Sequence, residues 1–315
     1  MEYRQISNYG TSNPIVARLS LQTQELLKFY HLTERQKQDV FGLMFSDIQP
    51  KLLTCFGIAD KIAKQVAEEQ QKIREGKVEV QGSAYRIPNI FNLRSDVETF
   101  LYQAKSVLRD LTRLFLILFS KDFGNQAHFD SVLAWSKEKF SEEHPLTAML
   151  KTDQAWIKKI IRMRNAVEHP GGKSGTLNVL NFTSSKQANR VMVTEPLWGL
   201  NNDPPLSIAT EMPVIVDNLL TFCEQVLILC LEEFKKNFPI VLVEVPESER
   251  DPICPIRYKM TVDTSKAEFP PRSPTDSSNQ PNSFRKSPMV ATGLRCIAGL
   301  NLASVAGQPV PASMV

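Results

Sequence analysis

Three long segments of this chain repeat apolar residues at intervals of three and four, and that repeat dictates a mainly α fold. From Ser95 to about Phe119 it runs through Phe100, Leu101, Ala104, Val107, Leu108, Leu111, Leu114 and Phe115, a stripe wide enough for a helix central to a core. Ser95-Asp96-Val97-Glu98 reads as its capping box, the serine accepting backbone N–H bonds and the glutamate reaching back. From Leu146 to Val167 the apolar positions are Met149, Leu150, Trp156, Ile157, Ile160, Ile161, Met163 and Val167. A third stripe, from about Met212 to Phe238, closes the core. Ile15–Tyr30, Glu34–Phe45 and Lys51–Arg74 carry the same spacing, with Gly76 as a stop.

Shorter stretches break this pattern. Val78–Val80 and Tyr85–Ile87 predict a small hairpin around Gly82. Thr176–Phe182 and Arg190–Thr194 alternate as strands do and predict a β-hairpin inserted between helices. Residues 246–315 hold half of the 20 prolines, many serines and no helical period, which predicts a disordered tail. The expected organisation is a helical region over 1–94 with the short hairpin, a helical core over 95–240 with the β insertion at 176–194, and the tail over 246–315.

Charge is close to balance at +3, so nucleic-acid contact would need a local basic patch, not a bulk field. Lys158, Lys159, Arg162, Arg164 and Lys173 offer one; a solvated helix face is the plainer reading of the lysines. The five cysteines form no CxxC pair, and their scatter suits a reducing cytoplasm. Cys223 and Cys230, two turns apart, read as small core residues. The polar start lacks the apolar segment of a signal peptide, and the runs Leu114–Phe119 and Val226–Leu231 are too short to span a bilayer, so a cytoplasmic protein without membrane contact is expected. No metal site is expected, because His31, His128, His144 and His169 are far apart and share no ligand spacing with the cysteines. No phosphate-cradling glycine loop or nucleophile elbow calls for a cofactor either. Trp135, Trp156 and Trp198 read as packing residues.

The chemistry-bearing feature is Arg164-Asn165-Ala166-Val167-Glu168-His169, followed by Pro170-Gly171-Gly172. At about 100° per residue, Trp156, Ile160, Met163 and Val167 line one half of the apolar stripe and Ile157 and Ile161 the other, with Arg164 projecting between them. An arginine there needs a reason, since an unpaired buried charge costs several kcal/mol, roughly. One reason is a structural ion pair with Glu168, one turn on. The other is a cleft shared with a partner helix. His169 lies about 140° round a continuous helix from Arg164, so the two converge only if the helix ends. Pro170 disfavours helical geometry at His169, and the glycines let the chain turn. A histidine favoured by the helix dipole is the simpler account of His169 taken alone.

Arginine, asparagine, three residues and histidine at a helix end resembles the signature of the HEPN superfamily, over about 95–235 of the chain. The resemblance implies an all-α up-and-down helical bundle and metal-independent endoribonuclease activity of the kind found in toxin–antitoxin and antiviral defence systems. It implies Arg164 and His169 as catalytic residues with Asn165 assisting, RNA as substrate held by Lys158, Arg162 and Lys173, and a homodimer in which two motifs face one cleft. An antitoxin or other protein partner is a further expectation. A histidine titrates near neutrality and can move the protons, and an arginine grips phosphate while staying charged. The alternatives are a non-catalytic module of the same fold that binds RNA, a nucleotide or a protein, and a purely structural helical protein.

Overall fold

The computed structural model describes residues 8–76, 80–81, 84–85, 87–124, 129–187, 190–236 and 239–262. The protein is mostly helical, with small antiparallel sheets. Asn13 opens the first helical stretch by accepting the Ile15 N–H at 2.9 Å, with Pro14 in the first turn where its missing N–H costs nothing. The stretch comprises α1 (Pro14–Val16), a π-helical turn (Ala17–Gln22) and α2 (Thr23–Leu27). Thr33 and Gln36 form a capping box for α3 (Glu34–Gly42). A second π-helical segment (Leu43–Ile48) then leads straight into α4 (Gln49–Arg74). The helical path is therefore continuous between Phe45 and Lys51. Pro50 lacks an N–H and its ring crowds the carbonyl four residues back, and the wider π turn just before it makes room.

Of the small hairpin expected from Val78–Val80 and Tyr85–Ile87, the structure describes β1 (Val80–Gln81) and β2 (Ala84–Tyr85), with Val80 opposite Tyr85; residues 78–79, 82–83 and 86 lie outside the described residues. α5 (Leu93–Leu111) starts two residues before the expected cap. Asn92, in the left-handed region at φ 59°, precedes it, and Glu98 pairs with Arg94 at 3.0 Å instead of closing a capping box with Ser95. A turn at Thr112 separates α5 from α6 (Arg113–Phe119). α7 (Phe129–Lys139) and α8 (Pro145–Glu168) follow.

The β insertion is larger than one hairpin. β3 (Leu177–Leu180) pairs not with Arg190–Thr194 but with β6 (Leu197–Leu200), a strand the alternation did not reveal; β4 (Thr183–Gln187) and β5 (Arg190–Thr194) form the hairpin between them. The reason is burial. Leu177 faces Leu200 and Val179 faces Trp198 on the covered side of the sheet, so slipping the register would turn Trp198 into solvent. β7 (Leu206–Ser207) completes this sheet and leads into α9 (Ile208–Glu232). A last hairpin joins β8 (Ile240–Glu244) to β9 (Tyr258–Val262). The segment 246–262, expected to begin a disordered tail, thus carries a strand with a buried Tyr258; the rest of that expected tail lies outside the described residues.

The core spans the expected boundary at residue 94, and the described residues fall in one compact unit. α4 packs on both α5 and α9, while α8 packs on α5, α7 and α9. α9 is long and apolar enough, by length and composition, to cross a bilayer, which the short runs examined in the sequence did not reveal. Most of it is buried inside the protein, including Cys223 and Cys230, and it serves as the core helix.

Candidate functional site

α8 begins at His144, whose Nδ1 accepts the Leu146 N–H at 3.3 Å, and ends where Pro170 stops it. His169 still donates its N–H to the Asn165 carbonyl at 2.9 Å, but its φ of −132° and ψ of 72° have left the helix. Beyond it the chain folds back in a tight loop: Gly172 donates to the His169 carbonyl at 3.0 Å and Gly171 to that of Gly175 at 3.0 Å. Gly175, at φ 85°, is fixed from outside, because a Cβ there would overlap the Asn201 side chain. Asn201 in turn accepts the Thr176 N–H at 2.8 Å. The β insertion therefore holds the loop that presents His169, whose imidazole is exposed and makes no side-chain hydrogen bond among the described residues.

Arg164 lies where α8 meets α5, with only 14% of its side chain exposed. Its Nη1 is 3.2 Å from Glu168 Oε2, and its guanidinium lies over the ring of Tyr102 at 5.2 Å. The ion pair weighed from the sequence is thus present. It is an open one: the Glu168 side chain is 44% exposed and Tyr102 is exposed as well. Such pairs are worth about 0.3–0.5 kcal/mol. The cation–π contact adds roughly 0.5–1 kcal/mol at a site this open.

Asn165 accepts a hydrogen bond from Lys105 Nζ at 2.7 Å, linking α8 to α5. Burial holds the Lys105 ammonium below the usual lysine range, and the neighbouring Arg164 and Arg109 push the same way while Glu168 opposes them. Arg109 pairs with Asp110 at 2.9 Å, and Asp110 also binds Lys51 at 2.7 Å.

The expected RNA-binding residues are placed differently. Lys158 and Arg162 project about 120° and 160° round α8 from Arg164. Lys158 pairs with Asp130 of α7 at 3.0 Å, Arg162 is exposed on the outer face, and Lys173 is exposed in the loop. The cations beside Arg164 come instead from α5, and sequence reasoning missed them. Their signal was the spacing Tyr102, Lys105, Arg109, three then four residues, along one edge of an apolar helix; nothing in the sequence said that α8 packs on that edge.

No protein family, curated protein or solved structure matches this chain. The chemical reading therefore rests on the geometry: a largely covered guanidinium on an aromatic face, a partly buried ammonium, the amide it holds, and an exposed imidazole past the helix end. The structure brings Arg164, Asn165 and Lys105 together, a set that can grip an oxyanion; His169 stands exposed beyond them, its imidazole hydrogen-bonded to none of the three among the described residues.

Proposed function

We propose that this chain is a metal-independent endoribonuclease of the HEPN type, built on an up-and-down helical core and acting as a homodimer in the cytoplasm. What supports the reading is that the Arg-Asn-x3-His motif falls at a helix end where the arginine is held by an aromatic ring and a solvent-facing carboxylate, with the histidine exposed just beyond. Arg164 would neutralise the charge growing on the phosphoryl oxygens. His169 of one copy would take the proton of the 2′-hydroxyl as its oxygen attacks phosphorus, and His169 of the other would protonate the departing 5′-oxygen. The products are a 2′,3′-cyclic phosphate and a free 5′-hydroxyl, with no net proton change. Asn165 would orient the phosphate. Toxin–antitoxin or antiviral defence is the setting such nucleases serve, and a protein antitoxin would bind across the same cleft.

A second reading is favoured by the Arg164–Glu168 pair itself, formed within one chain with Arg164 largely covered: a non-catalytic, purely structural helical protein in which the pair is an ordinary ion pair. One experiment separates them. Purified full-length protein is incubated with RNA and excess chelator, comparing wild type with His169→Ala and Arg164→Ala. Cleavage that leaves cyclic phosphate ends and falls about 10²–10⁴-fold in His169→Ala supports the nuclease. No cleavage by wild type, or equal cleavage by all three, overturns it.

A further inference from the structure

We propose that Lys105 is a positioning residue that turns the donating end of the Asn165 amide outward at the α5–α8 edge, making with Arg164 a seat for a backbone phosphodiester. The proposal rests on the reading of α8 as an RNA site and adds to it a residue from a different helix.

The argument starts from the Asn165 amide. A side-chain amide has an accepting end and a donating end, and which end faces out decides what it can recognise. An ammonium has three donors and no acceptor, so the 2.7 Å contact from Lys105 Nζ must occupy the amide oxygen. The Asn165 NH2 is the end left over. Arg164 and Arg109 also offer only N–H donors. The spare N–H groups of Asn165, Arg164 and Arg109 therefore all donate, and they fit a group that accepts once the exposed Glu168 carboxylate beside them moves aside. A phosphodiester, with two anionic non-bridging oxygens, is that group; an amine or a protonated base is repelled.

Charge points the same way. Around Lys105 lie the cations Arg164 and Arg109 and the carboxylate of Glu168, and Arg109 is itself paired with Asp110. The mutual repulsion of Lys105, Arg109 and Arg164 is relieved when an anion enters, and Glu168, already 44% exposed, can swing away to admit it. Tyr102 then keeps the freed guanidinium in place from below.

The test uses full-length protein in chelator with a fluorescent 2′-O-methyl RNA oligomer, which cannot form the cyclic phosphate, alongside cleavage of ordinary RNA. Binding of the oligomer should weaken at least ~10-fold in Lys105→Met and recover in Lys105→Arg, which can still donate to Asn165. Cleavage should show the loss mainly in KM, while thermal unfolding stays near wild type. If wild type cuts RNA and Lys105→Met binds and cuts equally well, the Lys105 proposal is overturned while the nuclease reading stands. If wild type binds the oligomer in a Lys105-dependent way but cuts nothing, the seat stands and the nuclease reading falls. If it neither binds nor cuts, both fall.

Discussion

Two arginine–glutamate pairs in this molecule share their chemistry and differ in everything around it. Arg18, in the first π-helical turn, meets Glu224 of α9 with the side chains 5% and 1% exposed. Both Glu224 oxygens are engaged by the guanidinium, Gln22 Nε2 adds a bond at 2.7 Å, and Arg257 Nη1 stands 3.6 Å away. Gln22 Oε1 then accepts the backbone N–H groups of Arg257 and Tyr258, which ties the β8–β9 hairpin to the core. Arg164 and Glu168 have one 3.2 Å contact on the edge of a helix, and the glutamate faces water. The lesson is that pairing does not identify a site; the state of the remaining donors does. Every polar atom around Glu224 is spent, so that pair is structural. Arg164 keeps unspent N–H groups beside other cations, so a ligand has something to bind.

The largest expected effect strikes the buried pair. Glu224→Ala leaves Arg18 uncompensated in the interior and should cost about 3–5 kcal/mol in chemical denaturation, or prevent folding. A loss below about 1 kcal/mol would erase the contrast with the surface pair.

Alkaline titration comes next. Burial, helped by Glu244 and Glu224 and opposed by Arg257 and Arg18, pushes the Tyr258 hydroxyl up to about 12. Its folded value lies above the unfolded one near 10, so the neutral form is favoured on folding. That stability is fully present below pH ~10 and is lost as pH rises towards 12, on the order of 2–3 kcal/mol. Tyr30, buried and hydrogen-bonded to Glu232 at 2.7 Å, shifts in the same direction. Denaturation curves at stepped pH should bend in this window, and Tyr258→Phe should remove part of the bend. A bend unchanged in the variant would show that the hairpin is not locked on the core.

The smallest effect belongs to the open pair. Glu168→Gln should change unfolding by only about 0.3–0.5 kcal/mol, because an exposed pair one helical turn apart is worth little. The same substitution removes the competitor for Arg164 and should tighten binding of the 2′-O-methyl RNA oligomer. A stability loss of several kcal/mol would recast the pair as structural and favour the non-catalytic reading.

What was legible in the sequence was local. The end of α8 at His169 followed from the steric effect of Pro170 on its neighbour, and the position of Arg164 in the stripe followed from the helical repeat. The short hairpin at Gly82 was legible for the same reason. The pairing of Leu177–Leu180 with Leu197–Leu200 was not, since it depends on which face finds the core. Nor was the strand Tyr258–Val262, whose proline-rich approach hid it until β8 supplied a partner. Which cations stand beside Arg164 was not legible, because charge along a helix says nothing about which edge a neighbour covers: Lys158 pairs with Asp130, and Lys105 of α5 reaches Asn165.

By itself, then, the chain determined that it is mainly helical and that α8 ends at His169, because those depend on φ, ψ and side-chain spacing within a few residues. Only the tertiary structure decided that α5 lies along α8, and so which cations gather at Arg164, how much water reaches Glu168 and which way Asn165 faces. Burial and electrostatic environment are properties of several segments at once, and no single segment encodes them.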